Sequence, residues 1–230
     1  MICEFRIATY NIHRAVGKDK KIDNYRILEV INEIDAAIIA LQEVSYDHSH
    51  DQNILKLFKN ETDYGIYEGV TLRDESGDYG NVILSRFPVN RMSVLDLSVD
   101  KREPRGAIEL VTSIGRQEIQ VVATHLGLRP YERRKQIRKL LPLIRKSQAA
   151  IKILLGDINE WFLWGLPLRL LHKEFGPMPA KRTFPAHRPL LALDRCWVSP
   201  TKKVSNVMVH NSAVARVASD HLPLVVDVKL

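Results

Sequence analysis

Two cysteines in 230 residues are too few for a disulfide framework and too isolated to hold zinc by themselves. Cys3 and Cys196 both lie among strand-like apolar residues and are expected to be reduced, buried thiols. No apolar run reaches the roughly 18–20 residues that cross a bilayer. The start, Met1-Ile-Cys-Glu-Phe-Arg-Ile, lacks the basic opening and apolar stretch of a secretory signal, so the expected compartment is the cytoplasm. Eleven glycines and eleven prolines, with no fixed repeat and no low-complexity linker, exclude a collagen-like or wholly disordered chain. What is present is ordinary for a globular protein: 45% hydrophobic and 27% charged residues, in a length that buries a full core. One domain over residues 1–230 is expected, with a monomer as default.

Lysine and arginine (34) outnumber aspartate and glutamate (27), for a net charge of +7. This favours anionic partners, but weakly. The bases gather at Arg14, Lys18, Lys20 and Lys21, and again from Arg129 through Arg133, Arg134, Lys135, Arg138, Lys139 and Arg145 to Lys146. The second group covers more than one helical face and reads as a solvated helix surface rather than a nucleic-acid stripe.

Phe5–Ile12 (FRIATYNI) fits a strand. Asp23 can cap a helix that places Tyr25, Ile27, Leu28, Ile31 and Ile34 on one face, with a break at Asp35. Ala36–Leu41 is a second buried strand, ending at Gln42-Glu43. A right-handed strand–helix–strand crossover then brings Asn11 and Glu43 close together. A helix is expected around 51–60. Tyr64–Val70, Gly80–Leu84, Val89–Leu97, Ala107–Ser113 and Glu118–Thr124 read as a β-meander. Arg129–Lys146 is helical with Pro142 as a kink or late break. Ile151–Leu155 is a strand ending in Gly156-Asp157. Gly165 and Pro167 interrupt the apolar stretch Trp161–Leu171. Leu193–Val198, Val204–Val209 and Leu222–Val228 are the last strands. The expected architecture is mixed α and β, two sheets face to face with helices outside.

Polar residues recur where apolar strands end: Asn11, Glu43, His125 and Asp157, then Asp194 inside LALDRCWV and Asp220-His221 before the last strand. Rigid strand ends are common places for sites. Singly, most have a plainer reading. Asn11 suits a turn, Glu43 a solvated loop, His125 a satisfied core position, and Gly156–Asn159 and Ser219–His221 suit turns or caps. Asp194 differs, because a carboxylate within an apolar strand needs a partner. If Glu43, Asp157 and Asp220 converge, a divalent cation would offset their repulsion, and oxygen-only donors favour Mg²⁺ or Mn²⁺. His125 and His221 beside them supply proton-transfer groups near neutrality. The combination points to metal-assisted phosphoester hydrolysis.

The series TYNI with Asn11, LQEV with Glu43, GNVILSRFPV from Gly80, ATHLG with His125, LGDIN with Asp157 and Asn159, LDRCWVS with Asp194, and SDHLPL with Asp220 and His221 resembles the endonuclease/exonuclease/phosphatase superfamily. That superfamily includes DNase I-like nucleases, abasic-site endonucleases, inositol-polyphosphate phosphatases and sphingomyelinases. With EPRGAIEL around Arg105 and RTFPAHRPLLALDR from Arg182, the chain is more similar still to a bacterial subgroup of hydrolases. The resemblance implies a four-layer sandwich and the following roles. Glu43 holds the metal, with Asn11 and Asp220 at or near it. Asp157 orients or deprotonates the attacking water. Asn159 binds phosphate. His221, fixed by Asp194, contacts the scissile phosphoryl oxygens, and His125 assists the leaving group or binds phosphate. Large DNA-wrapping insertions are lacking, which weakens an abasic-site role.

Arg105 and Arg182 are candidate phosphate contacts and Asn81 a residue bordering the pocket, while Arg188 reads as surface charge. His13 and Arg14 suit the entrance. Arg195 stands where relatives often carry His or Tyr and either grips phosphate or points away. Trp161 and Trp164 could stack on a base or meet a lipid, and at least one is expected in the core. Three functions remain open: a Mg²⁺-dependent phosphodiesterase on nucleic acid, a phospholipid or phosphoinositide-type phosphohydrolase, and a non-catalytic anion-binding module.

Overall fold

The computed structural model describes residues 4–47, 53–75 and 77–230. Strand β1 (Glu4–Asn11), helix α1 (Asn24–Ile34) and strand β2 (Ile38–Tyr46) form the expected crossover, with β1 and β2 parallel and Asn11 level with Gln42. The Asp23 carboxylate accepts the Arg26 N–H at 3.1 Å, and Asp35 closes the helix in the left-handed conformation. Helix α2 (Ile54–Glu61) is capped by Asn53; the first part of its expected span, residues 51 and 52, lies outside the described residues, as does Cys3.

The chain continues through β3 (Gly65–Asp74), β4 (Gly77–Ser85), β5 (Val89–Asp96), β6 (Gly106–Ile114), β7 (Gln117–His125), α3 (Pro130–Lys146), β8 (Ile151–Asp157) and α4 (Leu166–Phe175). It ends with β9 (Asp194–Ser199), β10 (Val204–Val209), α5 (Ala215–Ala218) and β11 (Leu224–Lys229). One sheet runs β10-β11-β1-β2-β4-β3 and the other β5-β6-β7-β8-β9. The meander is therefore split: β3 and β4 form a hairpin in the first sheet, and β5–β7 open the second.

Strand alternation separates three apolar layers. Phe5 and Ile7 face inward with Ile38, Ala40, Ile153 and Leu155, between the sheets. Ala8 and Tyr10 face the α1–α2 side, and Val122, Leu154 and Trp197 face α3 and α4. The result is a four-layer sandwich, as expected. Tyr25 is an exception on α1, exposed rather than packed. Pro142 lies within α3 without ending it.

Candidate active site

The same alternation aims the polar strand ends. Residues 151, 153 and 155 of β8 face the inter-sheet seam, so Asp157 faces it too. His125 on β7 and Asp194 on β9 follow the same parity, and the register puts both level with Asp157. Asn11 shares the parity of Phe5 and Ile7. Glu43 does not follow from alternation, because β2 does not stop there. The strand continues to Tyr46 through a bulge between Leu41 and Val44, with Glu43 at φ 56°. Leu41 and Val44 both pack on the α1–α2 side, so the bulge absorbs a phase change and frees Glu43 for the seam end.

At that end lies a cleft of about 470 Å³, lined by Glu43, Arg105, His125, Asp157, Asn159 and His221 together with His13, Arg14, Tyr79, Glu103, Leu128, Phe184 and Leu193. The His13 N–H donates to Asn11 Oδ1 at 3.0 Å, which turns Asn11 Nδ2 toward two carboxylates. Nδ2 donates to Glu43 Oε1 and to Asp157 Oδ2, each at 3.0 Å. Asn11 thus spaces two acids that would otherwise repel. Asp157 Oδ2 is also 3.6 Å from His125 Nε2 and 3.7 Å from His221 Nε2. Its other oxygen accepts the Asn159 N–H at 2.9 Å, an Asx turn that holds Asn159 at φ 54°. Gly156 supplies the close approach behind it: its φ is +144°, and a Cβ there would lie 1.8 Å from the Thr124 carbonyl oxygen.

The two imidazoles are in opposite states. Nδ1 of His221 donates to Asp194 Oδ2 at 2.8 Å, and the Thr183 hydroxyl donates to the same oxygen at 2.5 Å. Burial disfavours charge on His221, but Asp194, Asp157 and Asp220 outweigh burial and hold its pKa well above the usual histidine range. His125 is pushed well below that range by burial first, then by Arg105 and by charged His221. Arg105 lies 3.4 Å from its Nδ1, and Asn159 Nδ2 lies 3.0 Å from its Nε2. Asp157 is raised by burial and by Asp194, against the opposing pull of His221 and the Asn11 hydrogen bond. A raised carboxylate beside a charged and a neutral imidazole is an arrangement suited to moving a proton.

Oxygen atoms of Asp157 and Asp194 and a nitrogen of His221 lie within 4.8 Å of one another, close enough to share a metal ion. The His221 Nδ1 and Asp194 Oδ2 atoms, however, already satisfy each other. Glu43 is different. It is partly open to the cleft, and its second oxygen has no hydrogen-bond partner among the described residues. A carboxylate donor set of this kind fits a hard divalent cation.

Several sequence expectations land elsewhere. Asp220 lies between inward-facing Ser219, whose hydroxyl donates to the Asn11 carbonyl at 2.7 Å, and inward-facing His221. It points outward, 3.7 Å from His13 Nδ1, and lines a neighbouring depression with Lys18 and Arg216 rather than the cleft. Arg182 is exposed and off the cleft, because the next residue, Thr183, turns inward to Asp194. Asn81 is buried behind the cleft, donating to the Gly106 carbonyl at 3.0 Å. Arg105 is in place, gripped by both oxygens of Glu103 at 2.9 and 3.1 Å. Arg195 points away on the opposite face of β9 from Asp194, among Trp197 and the helices. Arg188 is exposed, as expected. Arg133 is not part of a solvated helix surface: it is fully buried, with Nε and one NH₂ on Glu160 at 3.1 and 3.2 Å. Neither Trp161 nor Trp164 is core; both are exposed, and Trp197 fills the interior instead. Sequence reading missed Thr183, Glu103, Tyr79 and Phe184 in or behind the cleft. EPRGAIEL contained the Glu103 signal, and RTFPAH those of Thr183 and Phe184.

A two-sheet sandwich with helices outside and a carboxylate–imidazole cluster at one end of its seam is the DNase I-like architecture. The chain belongs to the Endonuclease/Exonuclease/phosphatase family, whose model matches residues 8–221. That family includes metal-dependent phosphoesterases and nucleases, and its members are typically hydrolases acting on phosphoester bonds. The chain is 27% identical over 246 residues to the uncharacterized protein YbhP of Escherichia coli strain K12, across 98% of this chain and 96% of that one. Its fold matches an endonuclease/exonuclease/phosphatase from Beutenbergia cavernae (TM-score 0.80, 23% identity, 99% of this chain and 72% of that one). It also matches D. rerio TDP2 complexed with single strand DNA product (TM-score 0.74, 15% identity, 99% of both).

Proposed function

We propose that the chain, as one domain, is a cytoplasmic, divalent-metal-dependent phosphodiester hydrolase. One observation carries this reading: the buried Asp157 carboxylate lies within 3.7 Å of Asn11, His125 and His221, at the floor of an open cleft. A non-catalytic anion-binding module would use the positive charge of Arg105 and His221 but would have no need of a raised carboxylate between two histidines.

In this mechanism Asp157 takes a proton from water as the oxygen attacks phosphorus. The bond to the leaving alkoxide breaks in line on the opposite side. Charged His221, oriented by Asp194 and Thr183, donates its Nε2 hydrogen bond to a phosphoryl oxygen as negative charge builds. Arg105 and Asn159 bind the phosphate, and the leaving alkoxide, beside neutral His125, takes up its proton from water. Glu43, spaced by Asn11, would hold Mg²⁺ or Mn²⁺, which supplies charge neutralisation when bound. Asp220 faces away from the cleft, and its part in this scheme is limited to the charge it lends His221.

Nucleic acid as substrate draws support from the +7 charge and from the fold shared with the DNA-bound TDP2 structure. A phospholipid head group draws support from the apolar projection beside the cleft described below. Turnover of bis-p-nitrophenyl phosphate, plasmid, single-stranded DNA, RNA and phospholipid, each with Mg²⁺, Mn²⁺ or EDTA, separates these. Asp157→Ala and His221→Ala should each lower turnover by about 10²–10⁴-fold in folded protein. Wild-type rates in either variant would remove the site assignment.

A further inference from the structure

The segment after Asn159 is built in an unusual way. Trp161, Phe162, Leu163 and Trp164 are four consecutive large apolar residues, and all are exposed, Trp164 by 76% and Leu163 by 59%. They are held out by a rigid base. The fully buried Arg133 pairs with Glu160, donates to the carbonyls of Gly127 and Leu128, and stacks its guanidinium 5.0 Å from the Trp161 ring centre. Glu160 in turn accepts the Phe162 N–H at 3.1 Å. Gly165, where a Cβ would meet the Glu160 carboxylate at 2.7 Å, then starts α4. The loop begins two residues beyond Asn159, which lines the cleft, and beside Leu128, which is 57% exposed and also lines it. The apolar projection therefore rises next to the cleft wall, joined to Leu128 through Arg133, although none of its four residues lines the cleft itself.

Along the two segments that carry this projection and its base, the exposed charge is basic, and the nearest exposed acids, Asp100 and Glu103, are paired with Lys135 and Arg105. Across 127–139 and 158–173 the only acids are Glu132 and Glu160, and both are buried. Arg129, Arg134, Arg138 and Arg169 are exposed there and form no ion pair with a carboxylate among the described residues. Aromatic and aliphatic tips flanked by unpaired arginines match the two requirements of a lipid interface: apolar insertion and attraction to anionic head groups. Base stacking is the weaker fit. One face of Trp161 is already covered by Arg133, and Leu128 and Leu163 offer no π-face.

We propose that the Trp161–Trp164 loop docks the cleft mouth on an anionic phospholipid surface, so that the phosphoester presented to the cleft is a phospholipid head group. The second half rests on the hydrolase reading above; the docking itself does not.

The test uses the full chain and two readouts. Flotation with phosphatidylglycerol/phosphatidylcholine vesicles measures docking, and metal-dependent hydrolysis of soluble bis-p-nitrophenyl phosphate measures the site. Wild type should float with the mixed vesicles and much less with pure phosphatidylcholine. Trp164→Glu and Leu163→Glu should each weaken flotation about tenfold or more while leaving soluble-ester turnover unchanged. Turnover also reports that these variants fold. Absence of flotation, or equal flotation of wild type and both variants, overturns the proposal. So does tight binding of a single-stranded oligonucleotide that is lost in Trp164→Glu without any vesicle binding. Loop-dependent flotation of a protein inert toward every phosphoester leaves the docking surface standing and removes the hydrolase reading.

Discussion

At the residue scale, the site depends on unequal treatment of similar groups. His125 and His221 are both buried and both near Asp157, yet only His221 has a carboxylate on its far nitrogen. Asp194 is thus the residue that decides which imidazole is charged. Asp194→Asn removes the charge that offsets His221's burial. The loss of activity on the alkaline side, where His221 gives up its proton, should then move to lower pH, with a drop of about 10²-fold or more at the optimum. A pH profile of kcat on bis-p-nitrophenyl phosphate checks this; an unshifted alkaline limb would count against the role. Cys196 shows burial acting alone. It lies between the sheets, and burial pushes its thiol up to about 12. Since the thiolate is the reactive form, Cys196 in a Cys3→Ser protein should resist Ellman's reagent at about pH 8 until the chain is unfolded.

At the element scale, helix α3 does more than cover a sheet. From its first turns, Arg133 ties Gly127 and Leu128 to Glu160, and Gln136 accepts the Gly127 N–H at 2.8 Å. One helix therefore braces the segment after His125 and the segment after Asp157. Arg133→Ala leaves Glu160 buried without its partner and should cost about 3–5 kcal/mol in urea unfolding. Arg133→Met combined with Glu160→Gln should recover part of that loss. Little of this was legible in the sequence. Arg133 sits in a run of bases that reads as surface, and its burial depends on an acid 27 positions away. The bulge in β2 was equally hidden. The apolar run marks the strand well, but nothing local shows that it continues past Glu43 with a phase change.

At the scale of the whole molecule, the cleft exists only where the two sheets meet. Asn11 and Glu43 come from one sheet, and His125, Asp157 and Asp194 from the other. An ion held at Glu43 therefore favours the folded chain over the unfolded one. Mg²⁺ at about 100 times its Kd should add roughly 2.7 kcal/mol of stability, read as a rise in Tm, and Glu43→Gln should lose that increment. Equal Tm with Mg²⁺ and with EDTA would argue against Glu43 as the holder.

The amino-acid sequence by itself determined where most strands lie and the order of the polar strand ends, but not the bulge that carries β2 past Glu43. Strand position and order follow from local alternation and from short motifs read within a few residues. The nearness of Asn11 to Glu43 was within its reach, since a parallel crossover sets Asn11 level with Gln42, but the bulge that turns Glu43 to the site was not. Only the tertiary structure decided that Asp220 turns out while His221 turns in, that Arg133 is buried, and that both Trp161 and Trp164 face outward. Each of those outcomes depends on partners supplied by distant segments, and side-chain burial is set by what packs opposite, not by the neighbours along the chain.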